Sequence, residues 1–157
     1  MSKIEEITNP SEKSDICNNT LRALPDWFGS EPSIIDYTEN VQQMPFYAAY
    51  QENKAAGFVA IKVHNQHTAE IYVMGILKEY HRQGIGKALI SQCINYCKEH
   101  KKDFLTVKTL DASSNHKPYN KTRHFYLSTG FKPLEVFPQL WDKDNPCLFM
   151  CRYIFKD

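Results

Sequence analysis

The stretch HRQGIGKALI, residues 81–90, sets two glycines one residue apart where a polar run gives way to a helical pattern. Glycine costs about 1 kcal/mol against alanine inside a helix, so a pair at a helix start calls for a reason. The first turn of a helix leaves N–H groups unpaired, and its dipole favours negative charge there. Bare backbone lets a phosphate-sized anion reach those amides without meeting a Cβ. The chemistry on offer is capture of a diphosphate. Two nucleotide motifs that use the same physics do not fit. A Walker A loop needs G-x-x-x-x-G-K-S/T, whereas one residue separates Gly84 from Gly86 and Ala88 follows Lys87. The dinucleotide fingerprint needs glycine or alanine where Leu89 stands.

Other reactive side chains carry weaker patterns. Cys93 and Cys97, and Cys147 and Cys151, each show a C-x-x-x-C spacing. Their places on apolar stripes read as core packing, so no metal site is expected. The odd total of five cysteines fits reduced thiols and a cytoplasmic protein. The histidines, among them His64 and His67, form no ligand pattern and read as surface residues. Lys98, Lys101 and Lys102 read as a solvated helix end.

The elements that must position the glycine loop are legible from periodicity. A helix is expected from Ser11, as its cap, to Leu24, where Pro25 stops it. A shorter helical segment follows around Pro32. The pattern then alternates, predicting antiparallel strands at Phe46–Tyr50, Ala56–His64 and Ala69–Leu77 with turns at QENK and HNQH. Gly75 inside the third strand suggests a bulge or close approach. A helix over Gln83–His100 precedes a strand at Asp103–Leu110, and a helix in YNKTRHFYLSTGF ends at Gly130. KPLEVF and PCLFMCRYIF close the chain as strands joined by a loop bearing Pro and Trp. No linker interrupts this order, so residues 1–157 are read as one domain.

HRQGIGKAL after AEIYVMGILKEY, with FYLSTGF downstream, resembles the GNAT superfamily of acetyl-CoA-dependent N-acetyltransferases. The family's pyrophosphate loop opens on Gln or Arg, with Gly and then Gly or Ala three and five places on. It maps to His81–Gly86, with His81 departing from the pattern. The resemblance spans nearly the whole chain and implies an α+β fold with a mixed, largely antiparallel central sheet flanked by helices. Its final third looks like a branch of unassigned acceptor.

The resemblance further implies acetyl-CoA as co-substrate. His81, Arg82, Gln83, Gly84, Ile85, Gly86 and Lys87 would hold the diphosphate. The backbone of Ile76, on a strand that splays from its neighbour, and the side chain of Asn120 would hold the pantetheine arm. Acetyl transfer also needs a neutral amine, because an alkyl amine with a pKa near 10 is mostly protonated at neutral pH. Glu70 falls where the histone-acetyltransferase branch keeps a glutamate that acts as base through water. Tyr126 falls on the family's tyrosine, whose hydroxyl protonates the leaving sulfur. Phe125 beside it is assigned to the core.

The totals bound the partners. A net charge of +1 over 157 residues gives no field for nucleic acid or anionic lipid. The N-terminal residues carry acids and no apolar run, so no leader is expected, and nothing predicts a membrane span. The acceptor is a small-molecule or peptide amine, and a homodimer is left open. Trp27, Phe28, Phe137 and Trp141 come from segments that would flank the cleft. A non-catalytic acyl-CoA sensor on the same fold is the alternative.

Overall fold

The computed structural model of the chain describes residues 2–154; Phe155, the last residue of the expected final strand, lies outside them. Asn9 rather than Ser11 caps the first helix, α1 (Pro10–Arg22), accepting from the Glu12 N–H at 3.0 Å. Asparagine at the cap with proline at the first helical position is the stronger combination. Arg22 grips Glu31 through two 2.7 Å bonds, tying the end of α1 to the start of α2 (Glu31–Asn40). The expected meander follows as β2 (Phe46–Gln51), β3 (Lys54–Val63) and β4 (Thr68–Ile76). Its first turn uses Glu52 and Asn53 at positive φ. Its second is held by Asn65 Oδ1, which accepts from the N–H groups of His67 and Thr68. Lys102, expected in solvent, is buried and donates to the Asn65 carbonyl at 2.8 Å.

Helix α3 (Ile85–Glu99), strand β5 (Phe104–Leu110), helix α4 (Pro118–Ser128) and the hairpin β6 (Lys132–Asp142) and β7 (Asn145–Tyr153) complete the order. The segment read as a loop after KPLEVF is strand with an irregular register between Phe137 and Asp142; Pro138, which cannot donate to a ladder, falls there on the sheet's edge. One strand escaped the sequence. β1 (Lys3–Glu6) pairs antiparallel with β2 and starts the seven-stranded order β1-β2-β3-β4-β5-β7-β6. All neighbours are antiparallel except β4 and β5.

Strand alternation sends Val59 and Ile61 to one face, where they pack with Ile85, Leu89 and Cys93 of α3. Phe58 and Ala60 go to the other face and meet Ile16 and Leu21 of α1. Phe46 stacks on Phe58 at 5.2 Å between ring centroids; fully burying a side chain of that size stabilises the fold by about 1.5–3 kcal/mol. Cys93 and Cys97 lie in this α3 core. Among the described residues no helix is long and apolar enough to cross a membrane.

Candidate active site

A cleft of about 950 Å³ opens between β4, β5, α4 and the start of α3. Its cause is a single parallel pairing that stops early. β4 and β5 pair only from Thr68–Phe104 to Ile71–Val107. Beyond that point β4 follows β3 to Ile76, while β5 follows β7 to Leu110. A bulge sets the divergence. Ile61 faces Ile71 and Ala60 faces Val73, so Tyr72 is the extra residue. Tyr72 and Val73 both join the α1–α2 side of the sheet, and Met74 returns to the α3 side. Of the two readings of Gly75, the bulge sits three residues earlier and the close approach holds at Gly75 itself. Gly75 admits α1: a Cβ there would lie 3.1 Å from Thr20 Cγ2.

The freed backbone is traceable. Leu77 N–H donates to the Ala56 carbonyl at 2.9 Å. Since bonded and non-bonded pairs alternate in an antiparallel ladder, Met74 and Ile76 turn their N–H and C=O groups into the gap. His81 Nε2–H donates to the Ile76 carbonyl at 2.7 Å. The residue that departs from the family pattern thus ties the glycine loop to the end of β4.

The two glycines have separate duties. Gly84 caps α3 at φ 81°, and nothing lies within 4 Å of where its Cβ would be. Gly86 has no such space, because a Cβ would meet Phe125 Cε1 and Cζ at 2.9 Å. The expectation that both leave room for an anion is corrected: Gly86 makes room for α4. Arg82 takes φ 63° in the same turn.

Ile76, His81, Arg82, Gly84, Ile85, Gly86, Lys87, Asn120 and Tyr126 all border the cleft. Gln83 does not. Its side chain donates to the Glu79 carbonyl and accepts from Gln51, both at 3.2 Å. Asn120 Oδ1 accepts from Arg123, whose other nitrogen donates to the Leu110 carbonyl at 2.6 Å. Phe125 packs against the core as expected and Tyr126 borders the cleft, but the two share both settings. Tyr126 is 6 % exposed and packs edge-on to Phe131, while Phe125 is half-buried; both reach the cleft. Burial pushes the Tyr126 hydroxyl well above the ordinary phenol value, so it stays a proton donor.

Glu70 is buried and absent from the cleft wall. His64 Nε2–H donates to one of its oxygens at 2.7 Å, and Lys108 Nζ donates to the other at 3.0 Å. Lys108 is the member of this trio that borders the cleft. Sequence reasoning missed it, and missed Thr109, whose buried hydroxyl is the one buried side-chain polar atom without a hydrogen-bond partner among the described residues. Alternation in TVKTL puts Thr109 on the face of Val107, but only the splay makes that face a wall.

A strap crosses the mouth. Trp27, in the α1–α2 connection, donates from Nε1 to the Pro118 carbonyl at 3.2 Å and to Thr122 Oγ1 at 3.1 Å. Tyr119 donates back to the Trp27 carbonyl at 2.7 Å, and the Trp27 ring meets His81 edge-on. The charged side chains on the wall, Arg82, Lys87, Lys108 and Lys121, are all cationic. Phe28 and Trp141 border the same cleft, whereas Phe137 lines a smaller cavity with His64 and Leu140. Among the described residues no group of three or more His, Cys, Asp or Glu is placed to hold a metal.

A sheet splayed beside an open helix N-terminus is an arrangement that sequence comparison can identify. The model of the acetyltransferase (GNAT) family matches residues 13–131. The chain belongs to that family. No curated protein matched. A protein assigned to the GNAT family from Desulfovibrio desulfuricans superposes with a TM-score of 0.83 at 14% identity, over 99% of this chain and 100% of its own. The ribosomal-protein-S18-alanine N-acetyltransferase of Escherichia coli gives 0.77 at 16%, over 100% and 96%. An aminoglycoside 6'-N-acetyltransferase in complex with coenzyme A gives 0.77 at 17%, over 99% and 98%. At such identities the likeness is one of fold. The GNAT sheet accounts for the mixed pairing and the position of the glycine loop.

Proposed function

We propose that this GNAT protein, acting as a single domain, transfers an acetyl group from acetyl-CoA directly to a primary amine. The observation that carries the reading is the gap between β4 and β5, which runs to an α3 N-terminus left bare at Gly84. Three features fit the donor. The open side of Gly84 suits a diphosphate on unpaired amides. The gap-facing groups of Met74 and Ile76 offer a missing strand's hydrogen bonds to the pantetheine amides. Thr109 Oγ1 lacks a partner where one would be welcome.

Acetyl-CoA supplies an acyl group activated as a thioester. This chain's residues do the rest. Arg82 and Lys87 add positive charge beside the helix terminus, Asn120 steadies the arm, and the Ile76 N–H faces the developing oxyanion. Tyr126, held protonated by burial, gives its proton to the leaving sulfur. Glu70, as in the histone-acetyltransferase branch, takes the acceptor's proton through water, while the Lys108 ammonium that it binds stays protonated at the cleft wall.

The test is release of free thiol from acetyl-CoA across an amine panel, with the acetylated amine identified by mass. Release above the uncatalysed rate with matching product supports transfer. Tight acetyl-CoA binding with no release for any amine would replace it by the sensor reading, which the enclosure of Glu70 favours.

A further inference from the structure

The two sides of the gap differ in composition. On the α3–α4 side lie Gly84, Phe125, Tyr126 and the cations Arg82 and Lys87, which suit a phosphorylated donor. On the α1–α2 side the wall is a chain of aromatic rings. Phe28 meets Tyr37 edge-on at 6.0 Å, and Tyr37 meets Tyr72 edge-on at 5.3 Å. The bulge at Tyr72 is what swings that ring to this side. Trp27 and Trp141 border the same opening.

No carboxylate stands on this wall among the described residues. Glu70, just behind it, has both oxygens engaged by His64 and Lys108. Asp26, near the mouth, is paired with Lys78 at 3.2 Å. The phenols carry no negative charge either. Burial pushes Tyr37 up to about 12 and raises Tyr72, and Tyr72 accepts from Asn40 at 2.8 Å. Of the charged side chains that line the cleft, the Lys108 ammonium stands on this side; Lys62 lies over the Tyr72 ring at 6.0 Å, and Asp36 is close enough to act on the Tyr72 hydroxyl.

Such a wall has no carboxylate to pair a second ammonium group, and Lys108 repels one. A cation brought here meets ring faces, as Lys62 does at Tyr72, but no carboxylate, so its lost hydration is only partly offset. A flat apolar body, by contrast, gains burial and edge-on or offset ring contacts beyond its area. The same apolar surroundings favour the neutral amine, the form that attacks.

We infer that the acceptor is an arylalkyl monoamine: a primary amine on an aromatic body with no second positive charge. The inference rests on the transferase reading and narrows its substrate class.

Both tryptophans of the chain, Trp27 and Trp141, border the opening, so their fluorescence reports occupancy. The full chain is titrated with phenethylamine and with spermidine, with and without saturating CoA. Thiol release from acetyl-CoA is followed for the same two amines. The expected result is saturable quenching by phenethylamine, with affinity at least roughly tenfold above that for spermidine, and thiol release in the same order. Trp141→Ala, at an exposed position, is expected to weaken phenethylamine severalfold while calorimetric acetyl-CoA affinity holds. Equal or tighter binding of spermidine, or no saturable response to phenethylamine in either state, overturns the inference. Loss of acetyl-CoA binding in the calorimeter would bring down the transferase reading instead, and the amine preference would still be read from the fluorescence.

Discussion

Gly84 and Gly86 stand one residue apart and face different neighbours, empty space and the Phe125 ring. Substitution should separate them. Gly84→Val strains a φ of 81°, at a cost of about 1–3 kcal/mol, and fills the approach to the α3 amides. It is expected to abolish acetyl-CoA binding in calorimetry while the fold survives. Gly86→Val drives a branched side chain into Phe125, overpacking the α3–α4 contact by about 1–3 kcal/mol. Its first readout is a lowered Tm. Equal acetyl-CoA affinity in wild type and Gly84→Val would remove the loop from donor binding. Tyr126→Phe deletes only a hydroxyl on a buried ring. It is expected to lower kcat by about 10²-fold and leave acetyl-CoA affinity within error. Unchanged kcat would take Tyr126 out of the chemistry. The motif exposed these residue types, but two glycines read alike in a string. Their difference lies in Phe125, almost forty positions away.

At the level of elements, Glu70 fastens three pieces: the turn bearing His64, β4 itself and Lys108 of β5. Glu70→Ala leaves a lysine and a histidine without their acceptor. Hydrogen bonds to charged groups contribute about 1.5–3 kcal/mol, so urea unfolding is expected to show a loss of that order even without substrate. A loss below about 0.5 kcal/mol would mean the trio holds nothing together. Loss of activity in that variant therefore needs the stability measurement beside it. The helices and the meander were legible because their periods of 3.6 and 2 are local. The bulge at Tyr72 was not, since an extra residue shows only in the register against β3. β1 was invisible for a similar reason: four residues with one isoleucine become a strand only by pairing with β2.

Over the whole molecule, the sheet buries a set of neutral acids. Burial raises Cys17 from 9.0 to about 12, Cys97 and Cys147 from 9.0 to about 11, and Tyr119 from 10.0 to about 12. Tyr37 is raised by burial to the same extent. In the unfolded chain these groups ionise first, so between about pH 9 and pH 12 the native state binds more protons. Stability is then fully present below about pH 9 and falls as pH rises, by roughly 1.4 kcal/mol per pH unit for each such group. The urea midpoint is expected to drop steeply between about pH 9 and pH 11. A flat midpoint over that range would mean these side chains are solvated. The thiols were readable as core from their stripes, whereas the cleft's sidedness was not, because it comes from where β4 leaves β5.

Amide hydrogen exchange of the full chain, with and without acetyl-CoA, addresses the donor site most directly. Protection is expected at Met74 and Ile76 on the free edge of β4 and at Ile85, Gly86 and Lys87 in the first turn of α3. Saturating acetyl-CoA with no change at these amides would contradict it.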